Sequence, residues 1–146
     1  MIALVQRVLE ARVDVAGVTV GAIAQGLLVL VCAEPEDTDA LASRMVDKVL
    51  KLRIFCDDAG KMNRSLQDVG GGLLIVSQFT LAADVSGGNR PSFTAAAAPD
   101  KGEALYNTVL SLARNRHPLV ASGSFGADMQ LHLVNNGPVT IPITLR

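Results

Sequence analysis

At 146 residues, with 13 basic and 14 acidic side chains and a formal charge of −1, the chain carries no polybasic tail. Its 49% hydrophobic and 18% charged residues exclude disorder and predict one compact domain over residues 1–146. No apolar run reaches the roughly 18 residues of a membrane span, and so charge-poor a surface predicts that part of it is covered in a homodimer.

Met1 to Arg7 has no basic start, long apolar stretch or cleavage site, so it does not read as a signal peptide. Residues 11–15 and 18–20 alternate around Ala16-Gly17 and predict a β-hairpin. Gly26 to Cys32 is continuously apolar, the pattern of a strand buried on both faces. Acidic residues 34–39 open a helix whose stripe is Leu41, Met45, Val49 and Leu52. Residues 54–56 resume a strand, and 57–60 turn. Gly70-Gly71-Gly72 breaks the chain before a second buried strand, Leu73 to Phe79. After a glycine-rich loop, the Asp100 to Glu103 spacing predicts a capping box. It starts a helix with stripe Leu105, Val109, Leu112 and Ala113, ending near His117-Pro118. Met129 to Val134 alternates as a strand, Asn135 to Pro138 turns, and Val139 to Leu145 closes the chain. The expected fold is mixed α/β: a β-rich body of mainly antiparallel strands in layered sheets, with two long helices packed on one side.

The cysteines, Cys32 and Cys56, sit in apolar strand-like segments and read as free buried thiols of a reducing compartment, hence a cytoplasmic protein. They and the two histidines lack metal-ligand spacing, so neither metal nor cofactor is expected. The sequence holds no nucleophile elbow, P-loop or dinucleotide fingerprint. His117 reads as a surface residue closing the second helix and His132 as a sheet-face residue. That speaks against a Ser-His-Asp hydrolase.

Two segments stand out. Ser77-Gln78-Phe79-Thr80-Leu81 puts polar side chains at the end of a buried strand, where they form a site or merely cap the strand end. Asn135-Asn136-Gly137-Pro138-Val139-Thr140 is either a plain turn or a loop whose Gly lets a ligand approach the backbone. Basic residues Lys48, Lys51, Arg53, Lys61 and Arg64 are close enough in sequence to form a patch, or simply a solvated surface.

Together, in this order, the two segments resemble the D-aminoacyl-tRNA deacylase family. The resemblance extends over nearly the whole chain, through residues 1–8, 26–30, 53–55, 60–63, 77–82, 90–93, 125–129 and 135–140. It implies hydrolysis of the ester joining a D-amino acid, or mischarged glycine, to the 3′ end of tRNA, in a pocket between two identical subunits. Gly137-Pro138, with a cis bond, would enter the partner's pocket and reject an L side chain by contact with main-chain atoms. The resemblance implies that Arg7 holds that loop. Asn135, Val139, Thr140 and Met129 complete the chiral-selection set. Ser77, Gln78, Phe79 and Thr80 form the catalytic set, with the Phe79 and Thr80 amides as oxyanion donors and the ribose 2′-OH assisting. An aminoacyl ester is already activated, so positioning can suffice without a protein nucleophile. The rivals are Thr80 as nucleophile and a non-catalytic dimeric module binding a small ligand.

Overall fold

A computed structural model describes all residues, 1–146. The organising element is β1 (Ile2–Val15). Ala16 and Gly17, with φ of 49° and 79°, reverse the chain into β2 (Val18–Ile23), which pairs antiparallel with the second half of β1. Two successive positive φ values suit the right-handed twist of a tight hairpin. β3 (Gly26–Cys32) pairs antiparallel with the first half of β1. β6 (Gly72–Ser77) adds in parallel to β3, and β7 (Val120–Ser122) in parallel to β6. β8 (Gln130–Thr144) runs antiparallel along the other edge of β1. The six strands form one mixed sheet.

Helices α1 (Asp39–Lys51) and α3 (Pro99–Arg116) pack on one side. The apolar strands alternate into two cores. Leu27, Val29, Leu73 and Ile75 face Met45, Val49, Val109 and Ala113 of the helices, while Leu28, Leu74 and Val76 join Val8 and Val13 on the other face. β3 is thus buried on both sides, as its continuous apolar run predicts. α1 is capped by Thr38, whose hydroxyl accepts from Leu41 N–H.

Several local expectations are corrected. α3 starts at Pro99 behind Ala98, with no side-chain cap, because Pro at the first turn needs no donor there; Asp100 and Glu103 form no capping box. The capping box lies instead at Ser65 and Asp68 of a short helix, α2 (Leu66–Val69), closed by Gly70. Phe55 and Cys56 form β4, which pairs with β5 (Met62–Arg64); Phe55 points inward and Cys56 is exposed, so only Cys32 is a buried thiol. His117 is buried at the end of α3, where a ring nitrogen donates to Gly71 O, just before β6, at 2.7 Å. His132 stays on the sheet's exposed face, 3.4 Å from Asp14. Residues 135–138 do not reverse the chain: they lie within β8.

The ends of β1, β3 and β8 meet in one ionic cluster. The Met1 amine donates to Glu34 Oε2 and Asp37 Oδ1, each at 2.8 Å, and Arg146 donates to Glu34 Oε1 at 2.8 Å. Burial alone would push the Glu34 carboxyl up, but these bonds outweigh it and hold it below its ordinary value. A depressed folded value means stabilisation that is present above the unfolded value and lost as pH falls through the folded one. Glu34→Gln is therefore expected to cost about 1–2 kcal/mol at pH 7. The gap to the parent should shrink toward pH 3. Thermal unfolding at both pH values checks this, and an equal gap at both would refute it.

Candidate active site

β6 ends at Ser77, and the chain tightens into a single 3-10 turn, Phe79–Ala82. Gln78 N–H donates to Val31 O at 2.8 Å, pinning the turn to the end of β3. The first hydrogen bond inside the turn runs from Leu81 N–H to Gln78 O. The amides of Phe79 and Thr80 precede it and have no partner within the turn. Gln78 Nε2 donates to Thr80 Oγ1, so the hydroxyl receives an amide hydrogen bond rather than facing a base.

Beside this turn lies a cavity of about 570 Å³. Its walls include Ser77, Gln78, Phe79 and Met129, with Phe93 and Phe125 from two further loops. Thr80 is joined to this group through Gln78 but is not part of the wall. The lining holds no Asp, Glu, His, Cys, Lys, Arg or Tyr. Two titratable groups sit close behind it. Burial, and then the nearby Glu34 carboxylate, push the Cys32 thiol up; its Sγ donates to Phe79 O at 3.5 Å. Burial pushes the Tyr106 hydroxyl up to about 12, and it donates to Ile75 O at 2.8 Å. Both therefore stay protonated at neutral pH.

Phe93 and Phe125 are pocket residues that the sequence reading did not single out as site residues. Phe79 and Phe93 meet edge to face at 5.1 Å, and Tyr106 and Phe125 lie 5.9 Å apart. The chain has only four Phe and one Tyr, and all but the buried Phe55 gather here. Such concentration of scarce rings in loops is the signal that could have found them.

The second motif is built differently. Gln6 pairs with Thr140 and Val8 with Asn135, so Arg7 alone faces residues 136–139, which are extruded from β8 as a loop. Asn135 closes its base: Nδ2 donates to Thr140 Oγ1 at 2.8 Å and Oδ1 accepts from Val139 N–H at 3.1 Å. Arg7 spans it, with Nε donating to Asn136 O at 3.0 Å and Nη1 to Ile54 O at 2.8 Å. The Gly137–Pro138 bond is cis, and both residues are exposed. Gly137 has φ +138°, and a Cβ there would lie 2.8 Å from Val139 N and Cγ2.

The structure thus gathers Ser77, Gln78, Phe79 and Met129 at one cavity, with Thr80 bonded to it, and Arg7, Asn135, Gly137, Pro138, Val139 and Thr140 at one loop. It does not bring the two groups together within one chain: the cavity wall contains no loop residue.

The family model described as D-Tyr-tRNA(Tyr) deacylase matches residues 4–144. A D-aminoacyl-tRNA deacylase of Variovorax paradoxus is 72% identical over 145 residues, spanning 99% of both chains. One of Paracidovorax citrulli is 66% identical over 99% of this chain and 94% of its own. Among solved structures, one described as c-Myc DNA Unwinding Element Binding Protein superposes with a TM-score of 0.95 at 42% identity, covering 100% of this chain and 99% of the other. A probable eukaryotic D-amino acid tRNA deacylase shares the fold, with a TM-score of 0.82 at 22% identity over 97% of each chain. These likenesses define an ester hydrolase. The chain belongs to the D-aminoacyl-tRNA deacylase family.

Proposed function

We propose that the protein, as a cytoplasmic homodimer, hydrolyses D-aminoacyl-tRNA and glycyl-tRNA to free amino acid and tRNA, proofreading chirality with the backbone of its Gly137-Pro138 loop. The observation that carries this reading is the division of the two motifs: a cavity without any titratable lining residue, and an extruded, braced loop that contributes no residue to the wall of that cavity. A loop held at both ends by Asn135 and Arg7 suits insertion into a second copy. Leu9 (53% exposed) and Val134 (44%), close to the loop on β1 and β8, supply apolar surface for that contact. β8 pairs only with β1, so its long outer edge is also free to be covered.

Selection then works by exclusion. Main-chain atoms of the inserted loop occupy the space an L side chain needs, a D side chain points elsewhere, and glycine has nothing to reject. In the reaction, water adds to the ester carbonyl carbon. The bond to the ribose 3′-oxygen breaks, and that oxygen leaves as a hydroxyl with the water's proton, relayed by the neighbouring 2′-OH. The amides of Phe79 and Thr80 are the donors for the transient oxyanion, while Ser77, Gln78 and Met129 shape the pocket. With the Thr80 hydroxyl engaged by Gln78 and no base in the wall, activation of Thr80 as a nucleophile lacks a partner.

Thr80→Ala is expected to keep deacylation within about threefold of the parent, since the backbone amide survives the substitution. Loss of several orders of magnitude would instead establish the nucleophile. Incubation with D- and L-aminoacyl-tRNA tests the function itself: cleavage of D and not L is expected. Cleavage of neither would leave a binding module.

A further inference from the structure

Away from the cavity, a cleft of about 460 Å³ runs between the end of α1 and the end of β8. Leu52 and Leu145 form its apolar part, and Arg44, Lys48, Lys51 and Arg53 its charged part. Asp47 is the only carboxylate in the wall, and Arg116 holds it at 3.0 Å. The four cations are exposed and have no ion pair or side-chain hydrogen bond, whereas Arg12, Arg64, Arg116 and Arg146 are each paired with a carboxylate. In a chain of net charge −1, this is a local concentration of unneutralised positive charge. Its place matters too. Arg53 precedes Ile54, whose carbonyl accepts from the same Arg7 that holds the extruded loop. The Arg53 edge of the cleft is therefore tied through Arg7 to the loop, so the two move together.

We infer that the Arg44, Lys48, Lys51 and Arg53 cleft holds the sugar-phosphate backbone of the tRNA acceptor stem whose charged 3′ end lies in the partner subunit's cavity. This rests on the dimeric deacylase reading and gives it a division of labour: one protomer encloses the ester, and the other supplies both the loop that judges its hand and the cations that carry the stem. Spaced phosphates, rather than a single anion, match cations at helix positions 44, 48 and 51, which recur along one exposed face. Such contacts position the nucleic acid without reading its sequence.

The test uses the double variant Lys48→Ala with Lys51→Ala, since alanine at exposed helix positions preserves the helix. For D-tyrosyl-tRNA, KM is expected to rise on the order of tenfold with kcat little changed. The slope of log(kcat/KM) against log[salt] should fall in magnitude by roughly 1.5–2, about one per lost phosphate contact. With a D-tyrosyl ester of adenosine, which has no stem, the difference from the parent should vanish. Lys61→Ala, outside the cleft, should move neither KM nor slope. An unchanged slope and KM in the double variant would overturn the inference, as would an equal loss on the adenosine ester. Failure of the parent enzyme to deacylate D-tyrosyl-tRNA would count against the deacylase reading instead. The cleft would then be judged by binding of uncharged tRNA, with an unaltered affinity in the double variant refuting it.

Discussion

Gly137→Ala is expected to lower kcat/KM for D-aminoacyl-tRNA by at least about a hundredfold while leaving the protein folded. At φ +138° an L side chain is strained, and here the added Cβ would also sit 2.8 Å from Val139 N and Cγ2 and 3.3 Å from Arg7 Nη2. Strain of this kind costs about 1–3 kcal/mol, far less than the stability of a domain, so the loop shifts and the fold survives. Val139 packs against the core, but Gly137 and Pro138 are exposed in a segment extruded from β8, so they absorb the shift locally. A displacement of about 1 Å in a positioning element is enough for a loss of this size. On the proposed reading, in which the loop excludes an L side chain, the same displacement opens that space, so the ratio of D to L hydrolysis should fall as well. That ratio separates a role in stereochemical selection from simple destabilisation, which would lower both rates together. Measuring kcat/KM on both substrates, with melting temperature as a control, decides the matter; a variant with the parent's rate and ratio would remove the loop from the site.

The pattern of legible and illegible features has a physical logic. Local signals carried the hairpin at Ala16-Gly17, the twice-buried β3 and the amphipathic α1, because turn chemistry and periodicity are written in neighbouring residues. Asn135 to Pro138 has the composition of a turn, but β1 pairs with β8 on both sides of it and pulls the chain straight, extruding a loop instead. Nothing local encodes that outcome. His117 reads as a surface cap because it ends a helix, where an imidazolium suits the dipole; Gly71, 46 residues away, bonds its ring in a buried site. The pocket was half legible. Ser77, Gln78 and Phe79 announce themselves as polar and aromatic groups ending a strand, whereas Phe93 and Phe125 reach the wall only because two distant loops fold back. The basic patch likewise divides on folding. Lys48, Lys51 and Arg53 share a cleft with Arg44, while Arg64 turns away to Asp58 and Lys61 lies outside.

Arg7→Lys is expected to reduce kcat/KM by about ten- to a hundredfold, despite conserving the charge. The guanidinium bonds two carbonyls in different directions, Asn136 O from Nε and Ile54 O from Nη1, and so ties the extruded loop to the segment after α1. An ammonium on a flexible stem is a single point donor and cannot span both carbonyls. Hydrogen bonds from a charged donor contribute about 1.5–3 kcal/mol each, and the half-buried site limits replacement by water. The sharper expectation concerns the combination with Gly137→Ala. If both residues act by fixing the same loop, the second change has little left to disturb, and the double variant should lose much less than the product of the single losses. Independent roles would multiply. Four rate measurements therefore ask whether Arg7 works through the loop or elsewhere. Fully multiplicative losses would detach Arg7 from Gly137, and with it the brace on which the proposed joint docking of loop and basic cleft depends.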